Sequence, residues 1–396
     1  MSMEEWKEYR LIDVCEVING RAYKQEELLE EGKYRVLRVG NIFQGNNWYY
    51  SDIELPEDKY CYNGDLLYAW SCGFAPYIWK GEKTIYHYHI WKLKESKEVV
   101  DRKFLYYYLI VNTKRFLGGT HGSVMLHLTK REMEEQLLRL PSLSTQRQIA
   151  SILSSLDDKI ELNRKINANL EAQAQVLFKS WFVDFEPFKD QPFVESELGM
   201  IPEGWRVVSL GDLMSYNGGS QPPASEFIEE YKEGYVRFVQ IRDYASDGHI
   251  TYIPVSKRNK LCDVRDIMIA RYGASLGRIC YGLKGAYNVA LAKVTPNKPF
   301  YLEYLRCFFN TREFYEGINN KGNRAVQAGF NQSDIQSFRV VFPKDEEIIQ
   351  RFENICSVSF DKRLHLEQES RRLASLRDTL LPRLMSGELK VNEIVL

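Results

Sequence analysis

The sequence repeats itself once, at an offset of about 202 residues, and this duplication constrains the fold more than any other feature. Two apolar runs with the alternation of a β-strand correspond to each other, YRVLRVGNI at 34–42 and YVRFVQIRD at 235–243. Likewise, GDLLYAW from Gly64 corresponds to RDIMIAR from Arg265. The period is far too long for the unit of a solenoid. It predicts a duplicated domain, so that the 396 residues divide into two copies of one plan.

Each copy begins with about 140 residues in which short strand-like runs alternate with clusters of Gly, Asn and Asp. Helices are predicted to interrupt this pattern at 101–112 and at 301–311. Such a mixture is typical of an α+β fold, here with two globular domains that mix helices and strands. The predicted boundaries are 1–143 and 191–343 for the globular domains, and 144–190 and 344–396 for the helical segments that follow them.

The helical segments carry an apolar heptad pattern that predicts coiled-coil packing. With Ile149 as position a, the pattern persists over 33 residues and is interrupted by Asn163, a polar residue of the kind that typically fixes register. Because the second segment repeats the scheme, we expect the two helices to pair antiparallel; the alternative is that each packs on its own domain. Pro382 is expected to end or kink the second helix. The predicted helix-pairing residues are Ile149, Leu156, Asn163, Ile166, Leu170, Leu177, Leu366, Leu373 and Leu380.

A helix pair of this length would be roughly 50 Å long, at 1.5 Å per residue. Two globular domains held apart by such a pair would form a ruler, and this is the arrangement that the sequence predicts.

The overall charge is nearly balanced, with 53 Lys and Arg against 54 Asp and Glu. A net charge of −1 argues against a uniformly basic nucleic-acid binder, but it leaves a local basic patch open. Residues 201–343 hold 18 basic and 14 acidic side chains, whereas both helical segments are mildly acidic. Because phosphate neutralisation needs only a local group of Lys and Arg, the second globular domain is suited to an anionic partner. Aromatic residues form 13% of the chain and add amphipathic contact surface.

The sequence contains no recognisable motif for catalysis or cofactor binding. It lacks the G-x-x-x-x-G-K-[ST] phosphate loop and the G-x-G-x-x-G turn. The dipeptide Pro222-Pro223 lacks the flanking residues of an amino-methyltransferase pocket. His87 and His89 alternate in the run YHYHIW, which fits a polar strand face. A two-histidine metal site is the alternative, but no third ligand has suitable spacing and no metal is predicted. These features favour binding over catalysis.

The seven cysteines are odd in number and form no C-x-x-C pair, which predicts a reducing compartment. The amino-terminal MSMEEWKEYR is charged and has no apolar signal segment. No run approaches 18 apolar residues, the length needed to span a membrane. We therefore expect a soluble, cytoplasmic protein.

Polar and aromatic side chains cluster at matching places in both copies, on predicted loops and strand ends. Arg suits the acceptor edge of guanine, and Asn or Gln suits adenine, in the major groove of DNA. Each residue alone is more often a solvated surface residue, so the prediction depends on the clustering in both copies. The DNA-binding candidates are Arg21, Tyr23, Lys24, Arg38, Asn41, Trp70, His121 and Ser123 in the first domain, and Gln221, Gln240, Arg242, Arg271, Arg278, Asn323, Arg324, Gln327 and Asn331 in the second.

Three segments resemble the DNA-specificity (S) subunits of type I restriction–modification enzymes. They are RLPSLSTQRQIASILSSLDDKIELNRKINANLEAQAQVLFKSWFVDFEPF at 139–188, ELGMIPEGWRVVSLGDL at 197–213 and SLRDTLLPRLMSGEL at 375–389. The glycine turns INGRAYK and YNGGSQPP match the starts of the family's recognition domains. The resemblance covers the whole chain and implies two target-recognition domains in tandem pseudo-repeat, separated by two long antiparallel coiled-coil helices. The segment at 359–372 departs from the family's usual sequence.

The resemblance also implies a function. An S subunit is not an enzyme: each recognition domain reads one half of a bipartite target in double-stranded DNA, and the helices set the gap and dock two modification subunits. Methyltransferase and endonuclease activity would lie in partner subunits. The modification subunits would bind S-adenosylmethionine, and the restriction or motor subunits would use ATP and Mg²⁺. No cofactor is expected in this chain.

Two other classes of protein remain as alternatives. A stand-alone DNA methyltransferase or nuclease is disfavoured by the missing cofactor motifs, and binding of S-adenosylmethionine by the chain alone would revive it. A coiled-coil scaffold protein without DNA binding is disfavoured by the duplicated polar and aromatic loops. Salt-dependent binding of duplex DNA would exclude that second alternative.

Overall fold

A computed structural model shows two compact units, each built around its own hydrophobic core. The first unit comprises Met1–Ile160 with Arg371–Leu396, and the second comprises Glu161–Ser370. In the part of the chain that the structure describes, no helix is both long and apolar enough to cross a membrane. The described residues are 6–43, 45, 47–71, 73–117, 128–322 and 329–393.

The first half of the chain alternates short strands with helices and ends in one long helix. The strands are β1 (Lys7–Arg10), β2 (Cys15–Asn19), β3 (Tyr34–Leu37), β4 (Tyr49–Ser51), β5 (Tyr60–Cys61), β6 (Leu66–Ala69), β7 (Ala75–Ile78), β8 (Thr84–Tyr86), β9 (Ile90–Glu95) and β10 (Leu137–Leu140). The helices are α1 (Leu11–Val14), α2 (Val39–Phe43), α3 (Arg102–Leu117), α4 (Lys130–Glu134) and α5 (Leu143–Phe182).

The second half repeats this plan after an additional hairpin, formed by its first two strands. The strands are β11 (Phe193–Ser196), β12 (Gly199–Pro202), β13 (Trp205–Ser209), β14 (Met214–Gly218), β15 (Tyr235–Val239), β16 (Thr251–Pro254), β17 (Leu261–Cys262), β18 (Ile267–Ala270), β19 (Ile279–Cys280), β20 (Gly285–Tyr287), β21 (Leu291–Pro296) and β22 (Arg339–Pro343). The helices are α6 (Leu302–Phe309), α7 (Arg312–Gly322), α8 (Gln332–Gln336) and α9 (Glu346–Ser386).

Each unit contains two four-stranded sheets with the same strand order, which confirms the predicted duplication. The orders are β2-β9-β6-β7 and β4-β3-β8-β5 in the first unit, and β14-β21-β18-β19 and β16-β15-β20-β17 in the second. In both units one inner pair is parallel, β3 with β8 and β15 with β20, while its neighbours are antiparallel. A separate pair, β1 with β10 or β13 with β22, joins the beginning and the end of each repeat.

The core of each unit includes part of both long helices. In the first unit, Tyr68 and Trp91 pair across β6 and β9 with their rings 6.1 Å apart. In the second, the ring of Phe182 in α5 lies 4.9 Å from that of Tyr304 in α6 and 5.0 Å from that of Phe352 in α9. Edge-to-face aromatic contacts of this kind bury large apolar areas. The apolar faces of the long helices therefore serve the globular cores as well as helix pairing.

The two strands predicted at 34–42 and 235–243 are shorter than the sequence indicated. Strand β3 stops at Leu37 and is followed by α2, because the side-chain oxygen of Asn41 accepts a hydrogen bond from the Arg38 N–H at 3.0 Å. In the second unit the Asp243 carboxylate accepts a hydrogen bond from the Gln240 N–H at 2.9 Å, and a 3₁₀ turn begins there. These local bonds compete with the sheet ladder and end both strands at the same place.

The helix predicted at 301–311 is confirmed by α6 (Leu302–Phe309), and a separate helix, α7, follows it from Arg312. Helix α6 ends at Phe309 because the Thr311 hydroxyl accepts a hydrogen bond from the Phe314 N–H at 3.2 Å and starts α7. The prediction at 101–112 is confirmed by α3, which continues to Leu117. A threonine at a helix start satisfies one of the otherwise unpaired backbone donors.

Both long helices contribute some of the predicted pairing residues to the cores. In the first unit, the side chains of Ile149, Leu156 and Leu380 are buried in one cluster, against which Leu373 packs. In the second unit, Leu366 is buried and Leu177 packs against the core, whereas Ile166 and Leu170 are half-buried. Pro382 does not end α9, which continues to Ser386. The turn after the proline carries Leu384 and Met385, which are buried in the first-unit core and hold it in place.

Asn163, which the heptad pattern predicts to fix register, contacts α9 in the structure. Its side chain is fully buried, and its amide nitrogen lies 2.7 Å from the Glu369 carboxylate and 3.2 Å from the Ser370 hydroxyl. Four residues on, the Asn167 amide donates to the Arg363 carbonyl at 3.3 Å, so the helices run antiparallel in the second unit. A buried amide whose partners exist at only one alignment fixes the register of a helix pair.

The second unit also buries charged side chains, on α6 and on α9. The Arg306 guanidinium donates to the Glu303 carboxylate at 2.9 Å, and both side chains are almost fully buried. On α9, Arg363 donates to the Tyr281 hydroxyl at 2.5 Å and pairs with Glu171 at 3.0 Å. Buried charges of this kind require partners, because an unpaired one would be strongly destabilising. Polar residues thus hold α9 against the globular part of this unit.

Glu353 lies at the edge of this buried group and gives the fold a pH dependence. Its carboxylate accepts the Glu303 N–H at 2.8 Å, but burial raises the pKa of Glu353 from 4.5 to about 7. Folding therefore favours the neutral form, and ionisation removes stability as the pH rises from about 4.5 to 7. We expect Glu353→Gln to raise the free energy of unfolding by about 1–3 kcal/mol at pH 8.

The same substitution should have little effect at pH 5, where the wild-type carboxyl is already neutral in the folded protein. The glutamine oxygen can still accept the Glu303 N–H, so the main contact is kept. Urea unfolding of the two chains at both pH values measures the difference. A stability gain of equal size at pH 5 and pH 8 would show that ionisation of Glu353 is not its cause.

Candidate nucleic-acid interface

Several strands of the first unit end at one common edge of its sheets. Strand β3 ends at Leu37, whose carbonyl accepts the His87 N–H at 2.9 Å. The Trp70 N–H, directly after β6, donates to the His89 carbonyl at 3.1 Å, and the Gly20 N–H, directly after β2, donates to the Ile90 carbonyl at 3.1 Å. We call this the first edge and define it by Arg21, Tyr23, Arg38, Trp70 and residues 87–89.

The second unit repeats this arrangement hydrogen bond for hydrogen bond. The Asn288 N–H donates to the Val239 carbonyl at 3.1 Å, and the Arg271 N–H donates to the Ala290 carbonyl at 2.9 Å. The Gly219 N–H donates to the Leu291 carbonyl at 3.1 Å. We call this the second edge and define it by Ser220, Gln240, Arg271 and residues 288–290. The two edges share a backbone and differ in side chains.

A glycine is required where the two sheets meet at each edge. A Cβ added to Gly20 would lie 2.3 Å from the His87 carbonyl oxygen, and one added to Gly219 would lie 2.1 Å from the Asn288 carbonyl oxygen. No side chain fits at such a distance, so only glycine permits this approach of two backbones. The glycine turns INGRAYK and YNGGSQPP therefore have the same physical cause: each lets the β2 or β14 strand pass directly behind the edge.

The first edge gathers four of the predicted side chains around aromatic rings. The Arg38 guanidinium lies 4.1 Å from the centre of the Tyr49 ring, and the Arg21 guanidinium lies 5.1 Å from that of Tyr23. Arg21 is also held by the Glu27 carboxylate at 2.7 Å and 2.9 Å. The Trp70 indole N–H donates to the Tyr88 carbonyl at 2.7 Å. These contacts hold cationic and aromatic groups in fixed positions at one surface.

Two further candidates of the first domain have local roles in the structure. Asn41 caps the turn after β3 and donates to the Asn47 carbonyl at 2.9 Å. Lys24 is exposed and lies 3.7 Å from the Glu26 carboxylate. His121 and Ser123 lie outside the described residues.

The run YHYHIW is not the polar strand face that the sequence predicted. Strand β8 ends at Tyr86 and β9 begins at Ile90, so residues 87–89 form a turn that the Ile90 N–H closes by donating to the His87 carbonyl at 2.9 Å. The turn arises because His87 continues the parallel pairing with β3 while Ile90 starts an antiparallel pair with β6. Sequence alternation alone could not show this change of partner.

This turn places three further rings at the first edge, those of His87, Tyr88 and His89. The rings of His87 and His89 are 4.9 Å apart, and the Trp70 ring lies 5.1 Å from that of His89. Burial lowers the pKa of His87 to about 4, with a further contribution from His89 and Arg38. The imidazole of His87 is therefore neutral near pH 7. In the part of the chain described, no three His, Cys, Asp or Glu residues form a group that could hold a metal ion.

At the second edge, Arg271 is the most firmly placed of the predicted side chains. Its guanidinium lies 5.0 Å from the centre of the Tyr272 ring, and its Nη1 donates to the Val289 carbonyl at 3.3 Å. Its buried Nε has no hydrogen-bond partner. Gln240 is half-buried and donates to the Thr251 hydroxyl at 3.4 Å. A guanidinium held in a fixed position is suited to an anionic or acceptor-rich partner.

The remaining candidates of the second domain are exposed on neighbouring segments, line a groove or cap a helix. Gln221 and Arg242 are exposed on the segments that follow β14 and β15. Arg278 lines an open groove of about 650 Å³, together with Arg312 and Tyr315. Asn331 caps α8, since its side-chain oxygen accepts the Asp334 N–H at 3.1 Å. The three other candidates of this domain, Asn323, Arg324 and Gln327, lie outside the described residues.

Comparison with known proteins agrees with this duplicated architecture. The profile of the type I restriction modification DNA specificity domain matches residues 3–172 and 202–367. The MjaIX specificity subunit of Methanocaldococcus jannaschii, a type I restriction enzyme subunit, is 30% identical over 75% of this chain and 71% of its own length. The HindI specificity subunit of Haemophilus influenzae is 24% identical over 98% of this chain and 100% of its own.

A solved structure shares the fold. The type I restriction–modification S subunit from M. genitalium superposes with a TM-score of 0.62, at 17% identity, over 97% of both chains. The chain therefore belongs to the type I restriction modification DNA specificity domain family. The resemblance to S subunits, the predicted fold class and the function of a type I specificity subunit are confirmed at this level.

Proposed function

We propose that the chain recognises a split target in duplex DNA, with the first and second edges each reading one half, and that it has no catalytic activity of its own. The observation that carries this proposal is the repeated edge. Two backbones with matching hydrogen bonds present different side chains, Arg38, Trp70 and His87 in one and Gln240, Arg271 and Asn288 in the other. The two edges share one backbone frame but carry different polar and aromatic side chains, which suits recognition of two different base sequences.

The proposed partners are two modification subunits and, through the assembled complex, restriction or motor subunits. Those subunits would bind S-adenosylmethionine, and ATP with Mg²⁺, so that this chain holds no cofactor. The long helices have apolar side chains that remain exposed, among them Val176 and Val358, each 69% exposed. Such side chains on helices are suited to a protein partner. A complex acting on cellular DNA would be cytoplasmic.

The proposal predicts that Arg271→Ala weakens recognition of one half of the target. One well-placed Arg contact with a base is worth about 1–3 kcal/mol, so affinity for the intact target should fall by about 5- to 150-fold. Binding should be measured by titrating labelled duplex into the chain assembled with its modification subunits, at several salt concentrations. Lys298→Ala is the matched control: it also removes one positive charge, and Lys298 follows β21 at the end opposite Asn288.

Equal binding by wild type and Arg271→Ala would reject the second edge as a DNA contact. The absence of salt-dependent duplex binding by the wild-type complex would favour the scaffold alternative. Methylation of DNA by the purified chain alone would favour the stand-alone enzyme.

A further inference from the structure

Residues 87 and 288 occupy the same place in the two units. Each donates its backbone N–H to the carbonyl of the last residue of the strand that pairs in parallel with its own. His87 donates to Leu37 at the end of β3, and Asn288 donates to Val239 at the end of β15. Each accepts, on its backbone oxygen, the N–H of the residue three positions on, at 2.9 Å and 3.1 Å. In each unit the glycine after the first sheet strand lies against this same carbonyl. The backbone of both residues is thus fixed before any ligand binds, which reduces the entropic cost of binding.

The side chain of Asn288 has an unused acceptor. Its Oδ1 is buried and has no hydrogen-bond partner, although its backbone is fully bonded. A buried polar atom without a partner costs free energy. The Asn288 side chain is half-buried, so a rotation that brings Oδ1 to the surface and to an amino donor would gain a hydrogen bond and break none that this oxygen makes. The amide offers this acceptor together with an N–H donor, which is the pattern that adenine complements in the major groove.

His87 offers similar chemistry in the first unit. Its Nδ1 accepts the His89 N–H at 3.4 Å, so the neutral ring carries its proton on Nε2. A neutral N–H donor has little attraction for phosphate, but it suits a base acceptor such as purine N7. Both units therefore place an uncharged hydrogen-bonding side chain at the same position of the edge.

An arginine lies near this residue in each unit. Arg38 is close enough to His87 to help lower its pKa, and the Arg271 Nη1 donates to the carbonyl of Val289, the residue after Asn288. The Nε atoms of both arginines are buried without a partner. Protein–DNA interfaces commonly combine charged contacts to the backbone with uncharged or directional contacts to base edges. The two edges carry both kinds of group side by side.

We propose that Asn288 and His87 are specificity-determining residues, each reading one base of its half-target. Asn288 takes an adenine, accepting from its N6 amino group on Oδ1 and donating to N7 from Nδ2. His87 donates from Nε2 to a base acceptor in the other half. This inference rests on the proposed function of DNA recognition and adds which residues read bases and by which chemistry.

The test uses the full-length chain assembled with its cognate modification subunits. The methylated target of the wild type is first determined by methylome sequencing. Duplexes with each base pair of the target replaced in turn then measure how strongly the complex discriminates at each position. The variants are Asn288→Ala and Asn288→Asp, and the matched control is Val255→Ala, an exposed residue directly after β16 that lies outside the second edge. Thermal unfolding checks that the variants are folded.

For the alanine variant, we expect discrimination to fall by about 5- to 150-fold at one A·T position and to stay intact in the other half-target. The aspartate variant keeps acceptors but loses the donor, so its preference at that position should move from adenine towards cytosine, whose N4 amino group donates. His87→Ala should lose discrimination at one position of the opposite half. The Val255→Ala complex should discriminate like the wild type.

The inference is overturned if the wild type is specific and Asn288→Ala and Asn288→Asp discriminate as it does at every position. It is also overturned if both variants lose discrimination evenly over the whole target, since that marks a general contact. If the wild-type complex shows no sequence-specific methylation or binding, the proposed function fails, and the inference fails with it.

Discussion

Replacing Arg306 by methionine should lower the free energy of unfolding by about 3–5 kcal/mol, the usual effect of breaking a buried ion pair. The side chain is only 3% exposed, and its guanidinium lies 3.5 Å from the centre of the Phe360 ring. It donates to the Glu303 carboxylate at 2.9 Å and to the Arg265 carbonyl at 2.8 Å. Methionine fills similar space, so the main loss is electrostatic: Glu303 would lie in a buried site without its closest cationic partner.

Urea unfolding of wild type and variant at pH 7 measures this effect. Arg312→Met is the matched control, because Arg312 also pairs with a glutamate on its own helix, Glu316, but its side chain is 89% exposed. An exposed pair contributes at most about 1 kcal/mol, so this control should be nearly neutral. The double variant Glu303→Gln with Arg306→Met removes both charges and should recover part of the loss. Equal, small effects of Arg306→Met and Arg312→Met would contradict this account.

Deleting one heptad from α5 alone, at 154–160, should abolish methylation of the native target by the assembled complex. The deletion removes buried Leu156 and also Asp157, which accepts from Arg377 at 2.6 Å and from the Tyr107 hydroxyl at 2.5 Å. It also moves the following residues by two helical turns, about 10 Å, against their partners on α9. Asn163 could then no longer meet the Glu369 carboxylate, and its buried amide would lack partners.

A compensating deletion of 371–377 in α9 provides the sharper comparison. Since Asp157 contacts Arg377 in an antiparallel pair, this second deletion removes the facing heptad and restores the alignment of the remaining contacts. If the helices set the gap, the doubly shortened chain should recover methylation of both half-targets with a gap shorter by about three base pairs. Methylome sequencing reads both results. Unchanged methylation of the native target by the singly deleted chain would exclude a ruler function.

Local patterns predicted those elements whose formation depends on residues close in the chain. Helix α5 follows from a seven-residue apolar pattern, and the burial of Asn163 follows from its position in that pattern. The glycine turn before Arg21 was visible as a motif, but its cause was not. The cause is the approach of Gly20 to the His87 carbonyl, 67 positions away in the chain.

The same limit explains what sequence reasoning missed at the candidate site. His87 and Asn288 received no role in DNA recognition, although they lie at the centre of the two edges. The alternating residues of YHYHIW predict a strand through His87, because such alternation does not show where strand pairing changes. In the structure β8 pairs in parallel with β3, whereas β9 pairs with β6. A comparison of the two copies was the available signal, since YHYHIW and YNVALA align once Tyr86 is matched with Tyr287.

The sequence by itself determined the duplication, the two long helices and the family, because each of these depends on a periodic pattern or on motifs of adjacent residues. Only the tertiary structure decided which side chains share an edge and which charges are buried. Arg306, Arg363 and Glu303 look like ordinary helix-surface residues in the sequence, yet each is at least 94% buried. The physical reason is that burial and strand pairing depend on contacts between distant segments, and those contacts form only when the whole unit folds.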